Sequence, residues 1–444
     1  MKQINSFSHA LAGARILACA AVCVALLGAA PASMTLRSFA PASSFRLANG
    51  AIIASQPQND LPIVGALVTV PAGLAQQPPD KAGVAAIAAG LVLATPVEGS
   101  TSLVDAVERT GGEISYTLDP LDTRFYLECR SDDFARLIHD LRSALANPDA
   151  SQTEMQRAKT LSAARSTSQN PIETAYAMVR QVNYSGNGFA LPDQGSPLTV
   201  ARLTQADVVG FAASYGRANG VVVALEGAVS QDALNAATKE FSSLPSGAAA
   251  SVPRAPTVDR AHQVVAHRSV EAPWIAVAYQ APDQYSSDFA TMLVIESLLG
   301  GSGGVDSFAF SSAAPTPDDY VGAYYEYDAS PGSMIVFLGG SDSNLDESMR
   351  DLETGIARLR GDELAQALVD EAKRSALGDY YMSATTLAGQ AWLLGRSVSS
   401  PEGLAFENVL PQRILAVKAA DVQRVARRYL TKETIAIVLP QENQ

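Results

Sequence analysis

Residues able to do chemistry are few in this chain, and their spacing argues against using them together. Past the first thirty-odd positions the imidazoles are His139, His262 and His267, and the thiol is Cys129. A zinc site needs several His or carboxylate ligands converging, commonly at i and i+4 of one helix. His262 and His267 flank Val264-Val265, and a spacing of five in a strand puts them on opposite faces. His139 falls in a stretch of helical period and reads as a surface or half-buried residue. Gly300-Gly301-Ser302-Gly303-Gly304 matches G-x-S-x-G, but a nucleophile elbow needs a strand before it and a helix after it. Thr291 to Leu299 reads as a helix instead, so these glycines are expected to end it and form a loop. That loop lacks the Gly-Lys-Ser/Thr ending of a phosphate cradle.

The elements that must position any site belong to a large globular chain. With 47% hydrophobic and 17% charged residues it is not of disordered composition, and 444 residues predict two domains. A net charge of −13 repels phosphate backbones, so nucleic acid is not an expected partner. Lys2 and Arg15, the apolar run Ile16 to Ala29 and the small residues Ala30-Pro31-Ala32 read as a secretory signal peptide over 1–32. The alternative, an uncleaved anchor, is disfavoured because the run falls short of the roughly 20 residues that span a bilayer. A periplasmic or secreted protein is expected, with no stable membrane insertion after signal cleavage. Cys19 and Cys23 leave with the signal, and Cys129 alone cannot form an internal disulfide.

The remainder repeats itself. Asp207, Tyr215 and the strand-like Val221 to Leu225 recur as Asp421, Tyr429 and Ile435 to Leu439, with eight residues from Asp to Tyr and fourteen from Asp to strand in both. Leu61-Pro62-Ile63 matches Ala272-Pro273-Trp274 at nearly the same offset. Two ends in register predict two structural repeats. They span 45–243 and 261–444, joined by a small, Pro-rich linker over 244–260. Each half mixes β-rich runs (Ile63 to Val70, Arg124 to Cys129) with helical patterns (Ala82 to Ala94, Ser102 to Arg109, Asp132 to Ala146). The expectation is an α+β fold, each repeat a mostly antiparallel sheet covered by helices.

Several segments together resemble the insulinase and mitochondrial-processing-peptidase superfamily in its short, two-domain bacterial form. These are Phe45-Arg46-Leu47-Ala48-Asn49-Gly50, Ala72-Gly73, Lys81-Ala82-Gly83 and Gly111-Gly112-Glu113-Ile114, followed by Gly195, Leu203-Thr204, Asp207, Phe211, Tyr215 and Asn219. Active members of that family carry H-x-x-E-H on the helix after Lys-x-Gly. Two His at i and i+4 hold zinc, and the Glu activates water. The matching positions here are Ala86, Ala89 and Gly90, and the family's distal Glu falls near Ala163. The resemblance therefore implies a member with no catalytic residues and no metal or cofactor of its own.

It further implies a partner. The chain is expected to be the silent subunit of a heterodimeric zinc peptidase, with zinc and H-x-x-E-H in the other subunit and peptides as substrate. The second reading is a stand-alone peptide-binding or assembly protein. For substrate binding the family uses a Gly-rich segment followed by Arg and Tyr. Gly300, Gly301, Gly303, Gly304 and Tyr320 match, but no Arg lies between Arg268 and Arg350. Tyr324, Tyr325 and Tyr327 form a strand-like run with tyrosines on both faces, either packing the sheet or walling a peptide site.

Overall fold

The computed structural model describes residues 36, 38–58, 60–167, 170–247, 256–301, 319–328, 330–340, 345–361 and 364–441. The signal segment 1–32, the middle of the linker (248–255), Gly303 and Gly304 lie outside these. The strands are β1 (Ser43–Arg46), β2 (Ile52–Pro57), β3 (Ile63–Val70), β4 (Glu113–Leu118), β5 (Thr123–Arg130), β6 (Val222–Gly227), β7 (His262–Arg268), β8 (Trp274–Ala281), β9 (Asp319–Glu326), β10 (Gly332–Gly340) and β11 (Thr434–Pro440). The helices of the first half are α1 (Val84–Ala94), α2 (Leu103–Glu108), α3 (Phe134–Ala146), α4 (Thr153–Thr167), α5 (Pro171–Asn183), α6 (Pro197–Arg202), α7 (Gln205–Ala212) and α8 (Gln231–Ser242). Those of the second are α9 (Phe289–Leu298), α10 (Leu345–Arg360), α11 (Gln366–Ser383), α12 (Leu387–Ser399), α13 (Phe406–Ala416) and α14 (Ala419–Tyr429).

The repeat is written in the sheets. The first runs β1-β2-β6-β3-β5-β4 and the second β7-β11-β8-β10-β9, the same order once β1 is set aside. In each, one parallel pair (β2 with β6, β7 with β11) sits beside antiparallel neighbours. The Asp-to-Tyr spacing has a structural reason as well. The Tyr215 hydroxyl donates to the Ala85 carbonyl of α1 at 3.4 Å, and the Tyr429 hydroxyl to Asp288, just before α9, at 3.2 Å. Each tyrosine ties the end of the helix that precedes its half's parallel-paired strand (α7, α14) to a buried helix or its start (α1, α9).

Period-two burial gives the first sheet an apolar face built from Ile53, Val64, Ala66, Val68, Phe125, Leu127, Val223 and Leu225, packed with α1, α3 and α8. At about 25 cal/mol per Å² of apolar surface, this layer is the main stabilising element of the half. α1 is apolar all round and buried from Val84 to Val92, as a central helix must be.

The opposite sheet faces are not left bare. α5, from the first half, packs its Ala175 and Val179 on Ala276, Ala278, Ile335 and Ala436 of the second sheet. α12, from the second half, packs Ala391 and Leu394 on Ala54, Leu67 and Ala224 of the first. The halves thus exchange one helix each, and Phe39–Gln444 cluster as one compact unit. No described helix is long and apolar enough to cross a membrane.

Candidate functional site

α1 is positioned by a side chain that the sequence pattern did not single out. Gln77 Oε1 accepts from the Gly83 and Ala85 amides at 2.9 and 3.1 Å, satisfying two otherwise free donors of the first turn. Gly83, at φ 96°, turns the chain into the helix. Lys81 and Asp207, distant in sequence, form an ion pair at 2.6 Å. Hydrogen bonding by Lys81 and Thr204 holds the Asp207 carboxyl far below its usual range. The Lys-x-Gly and Leu-Thr…Asp segments are therefore two ends of one contact.

From that start, Ala86 and Gly90 fall on one helix face, one turn apart. Ala86 is 1% and Ala89 0% exposed, and the Tyr116 hydroxyl donates to the Ala86 carbonyl at 3.3 Å. Burial raises the Tyr116 phenol, keeping it a donor. Gly90 faces α4: a Cβ there would meet Gln156 Oε1 at 2.6 Å. Gln156 thus fills the space where an imidazole at 90 would stand. Gly90, Gln156 and Ala163 line one cleft of about 590 Å³, with Tyr116 and Lys159. The structure therefore brings Gly90 and Ala163 together and seals Ala86 and Ala89 in the core. An amide, a glycine and three alanine methyls or backbone atoms do not fit a zinc ion, which takes thiolate, imidazole or carboxylate. Among the described residues no group of three His, Cys, Asp or Glu is arranged to hold a metal.

The glycines after α9 do what helix-ending glycines do. Gly300 and Gly301 have φ of 121° and 49°. The Gly301 amide donates to the Glu296 carbonyl at 3.0 Å and its carbonyl accepts from Ala323 on β9 at 3.1 Å. Their recorded contacts are with α9 and β9, not with the α1 cleft. The Tyr320 backbone lies on β9 opposite Gly339. In the tyrosine run, Tyr325 is buried among Phe289 and Tyr327, whereas Tyr324 is 51% exposed and meets Tyr176 of α5 edge-on. Tyr325 and Tyr327 pack on one face of the run, and Tyr324 is exposed on the other. His139 bonds Glu240 at 2.9 Å from the surface.

One more feature belongs to the cleft. β4 is the outer strand of its sheet, and Tyr116 on β4 borders the cleft. The strand is set by Gly111-Gly112: Gly111 has φ 75°, and a Cβ on Gly112 would meet the Glu128 carbonyl oxygen at 2.5 Å. An outer strand offers unpaired amides and carbonyls to another extended chain.

Residues 202–376 match the family model of the peptidase M16 inactive domain. The fold is shared with a protease from Helicobacter pylori, at TM-score 0.81 and 19% identity over 91% of this chain and 100% of that one. It is shared with a peptidase M16 inactive domain from Pseudomonas fluorescens, at 0.80 and 18% over 91% and 99%. A chain of complex III2 from Candida albicans is also similar, at 0.73 and 13% over 90% and 95%. No curated sequence matches significantly.

Proposed function

On the premise that this chain is an insulinase-like homologue carrying a peptidase M16 inactive domain, we propose that it is a catalytically silent subunit of a heterodimeric zinc peptidase in the periplasm. The partner supplies H-x-x-E-H and its zinc. This chain supplies part of the chamber wall and holds extended peptide along the open edge of β4 by main-chain hydrogen bonds. The observation that carries the reading is the cleft at α1, lined by Gly90, Gln156 and Ala163 with no imidazole, carboxylate or thiolate to hold zinc.

The test is co-expression with a family member bearing H-x-x-E-H, followed by assay on an unstructured peptide. A stable heterodimer is expected, with one zinc per pair residing in the partner and at least tenfold loss of activity when this chain is omitted. Stoichiometric zinc and chelator-sensitive proteolysis in this chain alone would overturn the proposal. The likeness to a chain of complex III2 favours one further reading, an assembly role without peptide turnover. A homodimer that ignores the peptidase partner would support it.

A further inference from the structure

Strand register places three carboxyls in one row across the first sheet. Glu113 of β4 lies opposite Glu128 of β5, Glu128 opposite Gly65 of β3, and Gly65 opposite Glu226 of β6. Residues directly opposite share a face. This is the face away from the α1 core, which the N-terminal turn of α12 approaches at Leu387. Like charges directly opposite on neighbouring strands destabilise a sheet, yet among the described residues none of the three makes an ion pair. Glu226 is 0% exposed and neither of its carboxyl oxygens has a hydrogen-bond partner. Burial pushes it up to about 8. The Tyr126 hydroxyl donates to Glu128.

A cavity of about 930 Å³ lies over this row, lined by Asp60, Glu113, Glu128, Tyr126, Leu387 and Trp392 among others. Between Glu128 and Glu226 the row is closed at Gly65, where Tyr126 and Leu387 pack over the bare backbone, so the cavity is bordered by Glu113 and Glu128 and not by Glu226. A Cβ at Gly65 would stand 3.0 Å from the Tyr126 hydroxyl and 3.2 Å from Leu387 Cβ. Arg124 is the one base in the lining, and it is already committed to Asp122 at 2.8 Å, Asp119 at 3.2 Å and Asp328 at 3.7 Å. The acids do not converge as metal ligands do. Across Gly65, Glu128 and Glu226 stand two strand spacings apart, about 10 Å. No group of described residues is arranged for a metal ion.

What fits is an elongated charge carrier. We propose that this cavity binds an organic cation on an aliphatic stem, an alkylammonium or guanidinium group, with its head at Glu113 and Glu128 and its stem along Tyr126, Leu387 and Trp392. The head comes either from a Lys or Arg side chain of a peptide or from a free diamine. The peptide source rests on the peptide-holding reading above; the diamine source does not.

Calorimetry and tryptophan fluorescence on the full chain test this with 1,5-diaminopentane against 1,5-pentanediol, and with an extended hexapeptide carrying one Arg against its Gln counterpart. The expected result is binding of the diamine, the Arg peptide or both at least tenfold tighter than the neutral counterpart, weakening with salt. The double variant Glu113→Gln, Glu128→Gln should lose at least tenfold in cation affinity at a melting temperature no lower than that of the native chain, since it removes two like charges standing opposite each other. Failure of every cation to bind at millimolar concentration, equal binding of neutral counterparts, or an unaffected double variant would overturn the proposal. If the Gln peptide binds, Arg adds nothing and the diamine does not bind, the cavity assignment fails and the peptide-holding reading survives. If the diamine binds and neither peptide does, the cavity assignment stands and the peptide-holding reading falls.

Discussion

Gly90 is where the departure from the H-x-x-E-H pattern becomes concrete. Its missing side chain is replaced in space by the Gln156 amide, not by an empty socket. Restoring the motif therefore has two obstacles. Ala86 and Ala89 are sealed in a packed helix, so larger side chains there overpack the core at about 1–3 kcal/mol each, more for a buried charge. Ala163 offers no carboxylate to complete the site. The variant Ala86→His, Ala89→Glu, Gly90→His is expected to be destabilised by several kcal/mol and to hydrolyse no peptide. Denaturant unfolding and a peptide assay check both parts. Zinc-dependent turnover without an added carboxylate on α4 would show that the site has been misplaced.

At the scale of elements, the exchanged helices α5 and α12 tie the halves together. Leu394 of α12 is 4% exposed and packs on strands of the other half. Leu394→Ala should cost about 2–5 kcal/mol. Because the contact joins the halves, circular dichroism and tryptophan fluorescence should report one coincident, shifted unfolding transition. Two separated transitions would mean that the halves fold independently. The repeat itself was readable from Asp207, Tyr215, Asp421 and Tyr429, because a helix and the strand after it keep local spacing. The exchange was not readable. The apolar face of α5 looks like that of any amphipathic helix, and nothing local says which sheet it will cover. The carboxyl row was equally hidden. Glu113, Glu128 and Glu226 fall in one row only through strand register, and Gly65, over which Tyr126 and Leu387 pack, looks like an ordinary glycine in a strand. Gln77 and Gln156 carry no motif, since an amide that caps or fills reads the same as one in solvent.

For the whole molecule, the buried carboxyls set the pH at which the fold is most stable. Burial pushes Glu226 up to about 8 and Glu296, whose carboxyl accepts from the Tyr325 amide, up to about 7. Asp119, Asp193 and Glu326 are also raised by burial. Asp119, Asp193 and Glu326 are paired with Arg124 and Arg180, whereas Glu226 and Glu296, without an ion-pair partner among the described residues, hold their protons in the folded chain at a pH where the unfolded chain has lost them. Their contribution is intact below the unfolded carboxyl range and declines as pH rises from about 4.5 through 8. The groups held low, Asp207, Asp105 and Asp370, act in the opposite sense and only as pH falls below about 4. Between these windows stability should peak in mildly acidic solution and fall by about 5 kcal/mol from pH 5.5 to 8.5, somewhat more than half of it from Glu226. Urea unfolding at the two pH values measures the difference. Glu226→Gln removes one titrating group and leaves the sheet's shape intact, so it should flatten the slope and gain stability chiefly at pH 8.5. A native chain equally stable at both pH values, or a variant with the same slope, would mean that Glu226 is ionised and finds a charge partner in the fold.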